Sequence, residues 1–457
     1  MMKIVTQTPA PIEKKAQNKK YAWYVVFICM LAYIFSYVDR QILVLMIEPI
    51  KADLNLTDTQ FSLLHGLAFS LFYALIGLPI AYLADRFSRP AIISMGIIIW
   101  SIATAACGLS KNFIQLFLSR MSVGVGEAAL SPAAYSIFSD LFSKQQLGRA
   151  VGVYSIGSFI GGGLAFLVGG YVISLLKGTT LVDIPILGML RPWQVAFIIV
   201  GLPGVLIGIV FALTVRDPER QGQQLDHHGN VKKISIQDSF IFIRKHRQTF
   251  SCHYLGFTFY AMALFCLTSW APAFYMRKFG LSAVDTGYML GSILLLANTT
   301  GVFFAGWLTD FFTAKGRKDA AMLTGVIGAA GMLIPIVLFT QVDQLWLSVV
   351  LLVPAMFFAS FPMPTSTASI QVLTPNQFRA QISSIFLLIS SLVGLGIGTT
   401  LVALLTDKVF QNPLLVGHSI SIIGAFATVC TIVLLKTGCQ HFQKSMQVEH
   451  AESPLKS

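Results

Sequence analysis

Long apolar runs alternate with short polar intervals twelve times along the chain. The runs fall at roughly residues 22–47, 61–84, 91–109, 113–139, 147–176, 193–214, 251–276, 286–309, 320–340, 344–370, 379–405 and 412–436. Each approaches or exceeds the roughly 20 residues a helix needs to cross a hydrocarbon core. The pattern predicts an all-α polytopic membrane protein, because a membrane β-barrel would show shorter alternating segments. Several runs contain Gly or Pro, which neighbouring helices tolerate within a bilayer. The longest polar interval, residues 216–248, parts six runs from six. This gives a tail (1–20), a first six-helix bundle (21–215), a central loop (216–250), a second bundle (251–437) and a C-terminal tail (438–457). Residues 234–244 of the loop have the pattern of an amphipathic helix lying on the membrane surface.

Composition agrees: 55% of the 457 residues are hydrophobic and 11% are charged, against about 25% charged in soluble proteins. The net charge of +12 would invite a nucleic-acid reading, but the bases sit mostly in alternate loops. With the N-terminus inside, 23 Lys and Arg fall in cytoplasmic segments and seven in external ones; Arg40 and Arg120 complete the 32. That bias predicts both termini in the cytoplasm and an inner (plasma) membrane location, with no nucleic-acid partner. The six cysteines are scattered and form no CxxC pair, so neither a disulfide framework nor a metal site is expected. The polar, Lys-rich tail runs straight into a full-length apolar run, so no cleavable leader is expected.

The halves resemble each other. Asp85 and Asp310 follow the second and eighth runs, 225 residues apart; Pro132 and Pro364 are offset by 232, and Arg149 and Arg379 by 230. Near-constant offsets predict two parallel repeats that rock about a site between them. The loops Leu83-Ala-Asp85-Arg86-Phe-Ser-Arg89 and Gly306-Trp-Leu-Thr-Asp310, the latter followed by Lys315-Gly-Arg317, resemble the signature loops of the major facilitator superfamily. The resemblance implies a twelve-helix transporter. It also implies gating roles for Asp85, Arg86, Arg89, Asp140, Arg149, Asp310, Arg317 and Arg379, with Asp85 and Asp310 capping a facing helix and Arg89 or Arg317 neutralising them. Ser88 stands where Gly is usual and Pro90 where a base is usual, so the first loop is expected to latch more weakly.

Four charges lie deep in the apolar runs: Asp39, Arg40, Arg120 and Glu127. Arg120, Gly124 and Glu127 share one helix face. Asp39 and Arg120 lie at similar depth, about 12 Å from the outer end, and Glu127 about 10 Å further in. Such charges are costly unless paired or facing a water-filled path. Two acids and two bases allow a neutral cluster in which gain of one proton redistributes the pairing. A static pair of packing salt bridges is the alternative. Tyr37-Val-Asp39-Arg40, Arg120-x-x-x-Gly-x-Gly-Glu127-Ala and Ser131-Pro…Asp140-Leu-Phe-Ser143…Arg149 resemble the Spinster branch, whose members carry sphingosine-1-phosphate, lysophospholipids and similar amphiphiles. That resemblance implies proton sites at Asp39 and Glu127 with Arg40 as their partner; Arg120 joins them by depth and spacing.

The second half places no charge deep in a run, so coupling is assigned to the first half and shape-reading to the second. Candidate cavity groups are Tyr37, Tyr260, Trp270, Phe274, Asn298, Phe357, Phe361 and Gln371, each of which packing alone would also explain. His65 is read as an interfacial or packing residue. The glycines at 161–163 and 394, 396 and 398 are read as close packing at the bundle interface, and Trp193, Trp270 and Trp346 as an aromatic belt.

The sequence therefore predicts a proton-coupled secondary transporter of an amphiphilic or organic-anion molecule, lysophospholipid-like among the options, acting as a monomer. No cofactor is expected beyond the proton; the partners are the small-molecule or lipid-like substrate and membrane lipids. A multidrug or siderophore-type exporter is the alternative. A lipid-modifying enzyme is disfavoured because no HExxH, Gly-x-Ser-x-Gly or nucleotide-binding loop is present. A non-transporting sensor is disfavoured because no signalling domain is attached.

Overall fold

The computed structural model describes residues 19–84, 86–176, 178–185, 187–220, 236–375 and 378–452. The chain folds into twelve membrane-crossing spans in two halves of six. Span 1 is Lys19–Leu45, span 2 Asp58–Ala84, span 3 Arg89–Cys107, span 5 Lys144–Leu175 and span 6 Pro192–Thr214. Span 7 is Arg247–Phe279, span 8 Ala283–Ala314, span 9 Ala320–Gln341, span 10 Leu345–Leu373 and span 11 Gln381–Phe410. Span 12 belongs to the helix Val416–Glu452, which runs on well past the apolar stretch.

Eleven of these stretches, among the described residues, are individually long and apolar enough to cross. Span 4 is the twelfth and is broken into Phe113–Glu127 and Leu130–Leu141. The physical reason is Pro132. Proline has no N–H to give the carbonyl four residues earlier, and its ring crowds that position. The break accordingly falls at Ala128 and Ala129. Span 10 repeats it, with turns at Ser360 and Phe361, four and three residues before Pro364. Ser360 is 232 residues beyond Ala128, the same offset that relates the two prolines.

Polar caps fix several ends. Thr57 and Gln60 form a reciprocal capping box at the start of span 2. Asn112 accepts from the Gln115 amide at 2.9 Å at the start of span 4, and Ser282 from the Asp285 amide at 3.1 Å at span 8. Gly280, at φ +65°, ends span 7 in a conformation that suits glycine. A two-stranded hairpin, Val182–Ile184 paired with Gly188–Leu190, links spans 5 and 6. The amphipathic segment forms the helix Ile236–Lys245. It docks on the second half: Phe242 stacks on Phe378 at 5.6 Å, and Ser239 donates to Gln381 at 2.5 Å.

The face carrying both ends of the described chain and the surface helix is termed the terminal face; its opposite is the distal face. The halves meet along the distal part, span 5 against span 8 and span 2 against span 11. A Cβ at Gly163 would lie 2.7 Å from Leu295 Cβ, one at Gly287 2.8 Å from the Phe166 carbonyl oxygen, and one at Gly66 2.9 Å from the Leu395 carbonyl oxygen. Backbones approach this closely only where side chains are missing. Of the glycines assigned to this interface, Gly163 and Gly396 touch the other half, whereas Gly161, Gly394 and Gly398 pack within their own. Spans 2, 8 and 11 each contain a widened turn, at Leu63–Leu67, Leu294–Asn298 and Ser390–Ile397, a feature that often marks functional helices.

Candidate functional site

Span 4 carries two of the four buried charges, and its glycines set where it sits. A Cβ at Gly124 would meet the Phe69 carbonyl oxygen at 2.7 Å, and one at Gly126 the Trp100 amide nitrogen at 2.7 Å. Span 4 is thus wedged between spans 2 and 3, with Glu127 at its break. Arg40, on span 1, donates to Glu127 Oε2 in a buried ion pair. The Arg40 guanidinium also lies 4.1 Å from the centroid of the Phe69 ring and 4.8 Å from that of Tyr37, stacking that suits the planar cation. Its side chain keeps 13% exposure while that of Glu127 keeps 1%, so the pair is approachable only from the arginine side.

Asp39 points elsewhere. It is fully buried, and neither carboxylate oxygen has a hydrogen-bond partner. Arg120, also fully buried, donates to the Asp39 backbone carbonyl at 3.4 Å rather than to its carboxylate. Its Nε and Nη2 are unpartnered, as are Glu127 Oε1 and the hydroxyl of Thr104 on span 3. The four predicted charges therefore share one locality, with one closed pair and two groups whose bonding capacity is largely unspent.

Around Arg40 lies a group of tyrosines that the sequence reading passed over apart from Tyr37. Tyr33 stacks on Tyr154 with centroids 4.6 Å apart and meets Tyr37 edge-on at 5.3 Å. Tyr154 shares a 2.7 Å hydrogen bond with Ser131 and contacts Tyr135, and Phe69 stacks on Tyr73. The signal was present: Tyr33 and Tyr37 are one helical turn apart.

The cavity candidates of the second half mostly pack. Tyr260 donates to the Phe358 carbonyl at 2.7 Å and Trp270 to the Thr399 carbonyl at 3.0 Å. Both are buried, as are Phe274 and Phe361. Tyr260 and Trp270 spend their polar tips on backbone acceptors within their own half, and in this state all four side chains are packed inside that half. Gln371 is exposed near the terminal face and Phe357 packs on Phe304. Asn298 stands apart: it sits in the widened turn of span 8 and its buried Oδ1 has no partner.

The gating residues also differ from expectation. Asp85 lies outside the described residues. Arg89 is buried, pairs with Asp140, and reaches Asp217 at 2.8 Å and the Pro218 carbonyl at 2.7 Å. Arg317 pairs with Asp319 at 2.8 Å, not with Asp310, which is exposed; two residues' separation lets that pair close locally. Arg379 donates to the Thr374 carbonyl at 2.9 Å, Arg86 stacks on Tyr82, and Arg149 is exposed.

The contacts that join the halves were not foreseen. Arg277, at the distal end of span 7, donates to Glu48 at 2.7 Å and to both oxygens of Asp58 at 2.7 and 2.6 Å. Lys51 also pairs with Asp58. Thr59 donates to Asp407 through its amide and hydroxyl at 2.6 and 2.7 Å, and His65 shares a 2.9 Å hydrogen bond with Ser269. Among the described residues, every ion pair that bridges the halves is made by Arg277 at the distal face. Trp193, assigned to the aromatic belt, is buried and donates to Asp53 at 2.9 Å, and Trp270 is likewise internal; Trp346 is exposed.

Two broken spans at one offset and a distal seam between halves fit one family. The profile of the Major Facilitator Superfamily matches residues 29–399, and a second match covers 254–438. The chain belongs to the Major Facilitator Superfamily. It is a transporter, not an enzyme. Among its relatives, an MFS-type efflux pump of Mycolicibacterium smegmatis is 28% identical, covering 86% of each chain. Protein spinster of Drosophila melanogaster is 25% identical, covering 70% of this chain and 50% of the relative. A probable L-galactonate transporter of Escherichia coli is 23% identical over 82% and 81%. Among solved structures, this superfamily member is similar to a bacterial homologue of the human lysosomal transporter Spinster in an inward-facing, unoccupied conformation. The TM-score is 0.73 at 26% identity, covering 94% of this chain and 98% of that one. The Spinster resemblance read from spans 1 and 4 therefore extends over nearly the whole fold.

Proposed function

We propose that the protein is a proton-coupled secondary transporter of an organic-anion or amphiphilic molecule, working by alternating access as a monomer. The observation that carries this reading is the Asp39 carboxyl, buried without a partner beside the closed Arg40–Glu127 pair. An ionised carboxylate held there is costly, and a proton removes the cost. A proton on Glu127 weakens its hold on Arg40. The freed guanidinium can then take a carboxylate or phosphate of the substrate, for which its planar donor fork is suited. The proton takes the arginine's place on Glu127 and the anionic cargo takes the carboxylate's place on Arg40, so each favours the binding of the other.

The tyrosines near Arg40 offer ring faces and hydroxyls to an amphiphile. The L-galactonate relative, named for a sugar acid, supports an anionic cargo; the resemblance to the Spinster branch implies a lipid-like one. The similarity to an efflux pump supports a second reading, a multidrug or siderophore-type exporter using the same machinery. Lys and Arg bias assigns the terminal face to the cytoplasm of the cell's inner (plasma) membrane. On that assignment the distal clamp closes the external mouth.

The deciding experiment is a substrate screen in proteoliposomes under an imposed pH gradient, with Asp39→Asn and Glu127→Gln alongside. Coupled flux that vanishes in both variants supports the reading. Proton-driven flux unchanged in both overturns it.

A further inference from the structure

A second site lies far from the central charges, where the start of span 7 meets the extension of the C-terminal helix. A cleft of about 270 Å³ opens there, lined by Lys245, His246, Arg247 and Thr249 on one side and by His441 and Lys444 on the other. None of the residues lining it is acidic. Thr249 and Ser445 bond to each other at 2.8 Å and form its buried floor. His441 Nδ1 is buried and has no partner. The cleft also sits at the first turn of a 33-residue helix, where the His246 side chain does not cap the amides that follow. Helix starts favour anions through these amides and the aligned peptide dipoles. Exposed cations, an uncapped helix start and a histidine with an unpartnered ring nitrogen border one small space.

Depth indicates what fills it. Arg247 and Arg277 bracket span 7 at a separation of about 45 Å along the helix, close to the about 40–45 Å that includes both headgroup layers. Along the last helix, His441 lies about 37 Å beyond Val416, past a hydrocarbon core about 30 Å thick. Both sides of the cleft are thus at headgroup level. The surface helix that leads into it exposes Phe240 and Ile241, apolar groups suited to the adjoining acyl boundary. The volume falls just short of the roughly 300 Å³ at which pockets for drug-sized ligands begin, a size that suits a headgroup.

We propose that this cleft binds a phosphate group, supplied by the headgroup of an anionic phospholipid. The lipid staples the surface helix and the start of span 7 to the end of the last helix. Purified full-length protein in detergent is titrated with phosphatidylglycerol, phosphatidylcholine or inorganic phosphate, and binding is read by native mass spectrometry and by the shift in thermal midpoint. Phosphatidylglycerol is expected to bind and stabilise where phosphatidylcholine does not. The double variant R247Q/K444Q is expected to weaken it about 25-fold, at about fivefold per base near the surface. Lys318→Gln, an exposed base elsewhere on the terminal face, is expected to leave it unchanged. If the double variant does not fold, K444Q alone reads the fivefold step, because Lys444 is exposed. Equal binding of the two lipids, or undiminished phosphatidylglycerol binding in the charge-removed variants, overturns the proposal. Inorganic phosphate protecting at the same concentration as phosphatidylglycerol overturns the lipid as its source.

Discussion

Glu127 closes an ion pair on Arg40 across 87 positions of sequence, while Asp39, the residue next to Arg40, is left buried with no partner. The two acids therefore differ in what their removal does. Glu127→Gln leaves Arg40 without its counter-charge, and breaking a buried pair costs about 3–5 kcal/mol. Asp39→Asn removes a charge that no hydrogen bond holds, at constant shape, with Arg120 as its nearby opposite charge. The thermal midpoint is expected to fall in E127Q and to hold or rise in D39N. Proton-driven flux falls in both by roughly tenfold or more, the effect of about 1.4 kcal/mol on a rate-limiting step. Thermal unfolding and proteoliposome flux, measured on the same preparations, check both halves of this prediction.

Arg277 holds Glu48 and Asp58 of the opposite half. Its replacement by Gln leaves Asp58 with only Lys51. The prediction is a population moved toward distal opening, by a factor of roughly 10 or more if about 1.4 kcal/mol of the clamp is lost. A cysteine placed at Ser62, which is buried in this state, reports it in a protein otherwise free of cysteine. Labelling from the distal side is expected to speed up in R277Q. Identical rates would mean that the glycine-lined seam and the Thr59–Asp407 and His65–Ser269 bonds keep that mouth shut without the clamp.

The seat of span 4 is tested at Gly126, where an added Cβ would lie 2.7 Å from the Trp100 nitrogen and 2.8 Å from the Gly96 carbonyl oxygen. These are backbone atoms, which do not step aside easily. Gly126→Ala is expected to cost about 1–3 kcal/mol through overpacking and to reduce transport by displacing Glu127. Gly162→Ala, with nothing within 4 Å of the new atom, is the matched variant expected to keep both stability and flux. Thermal midpoints and uptake rates of the pair measure the difference.

Between spans 8 and 9, Arg317 bonds Asp319 through two hydrogen bonds at 3.1 and 2.8 Å. Desolvation opposes the charge on Asp319, but the Arg317 bonds and positive charge win and hold its carboxyl below the usual range. A carboxyl depressed in the folded state binds its proton less readily there than in the unfolded chain. Its stabilising contribution is thus complete above the unfolded pKa of about 3.9 and is lost as pH falls through the folded value. Thermal midpoints taken from pH 6 downward are expected to drop less steeply in Asp319→Asn than in the parent below about pH 4. Parallel curves would remove this pair from the acid response.

Run length made the twelve crossings legible, because oil thickness fixes how many apolar residues a helix must supply. The four central charges were legible for the complementary reason that charges are rare at that depth. Which acid Arg40 would choose was not: Asp39 is its neighbour in sequence, yet side chains at adjacent helix positions diverge, and Glu127 arrives from another span. The Arg277 clamp was invisible because bases and acids at span ends are ordinary, and nothing local says which will meet across the halves. The roles of Tyr260 and Trp270 were not legible. An aromatic with a polar tip looks the same in sequence whether the tip faces a ligand or, as here, a backbone carbonyl of a neighbouring helix.

Pro132 and Pro364 deprive the carbonyls of Ala128 and Ser360 of their customary amides. Ser360 recovers a donor from the Met363 amide at 3.3 Å, in a tighter turn, whereas no such bond reaches Ala128 among the described residues. The first half therefore carries, midway across, an acceptor that hydrocarbon cannot satisfy. Such a group is tolerated only with its back to the lipid, which restricts how span 4 can be rotated about its own axis before any side chain is considered. One missing hydrogen thereby helps to set which surface of the first bundle turns inward.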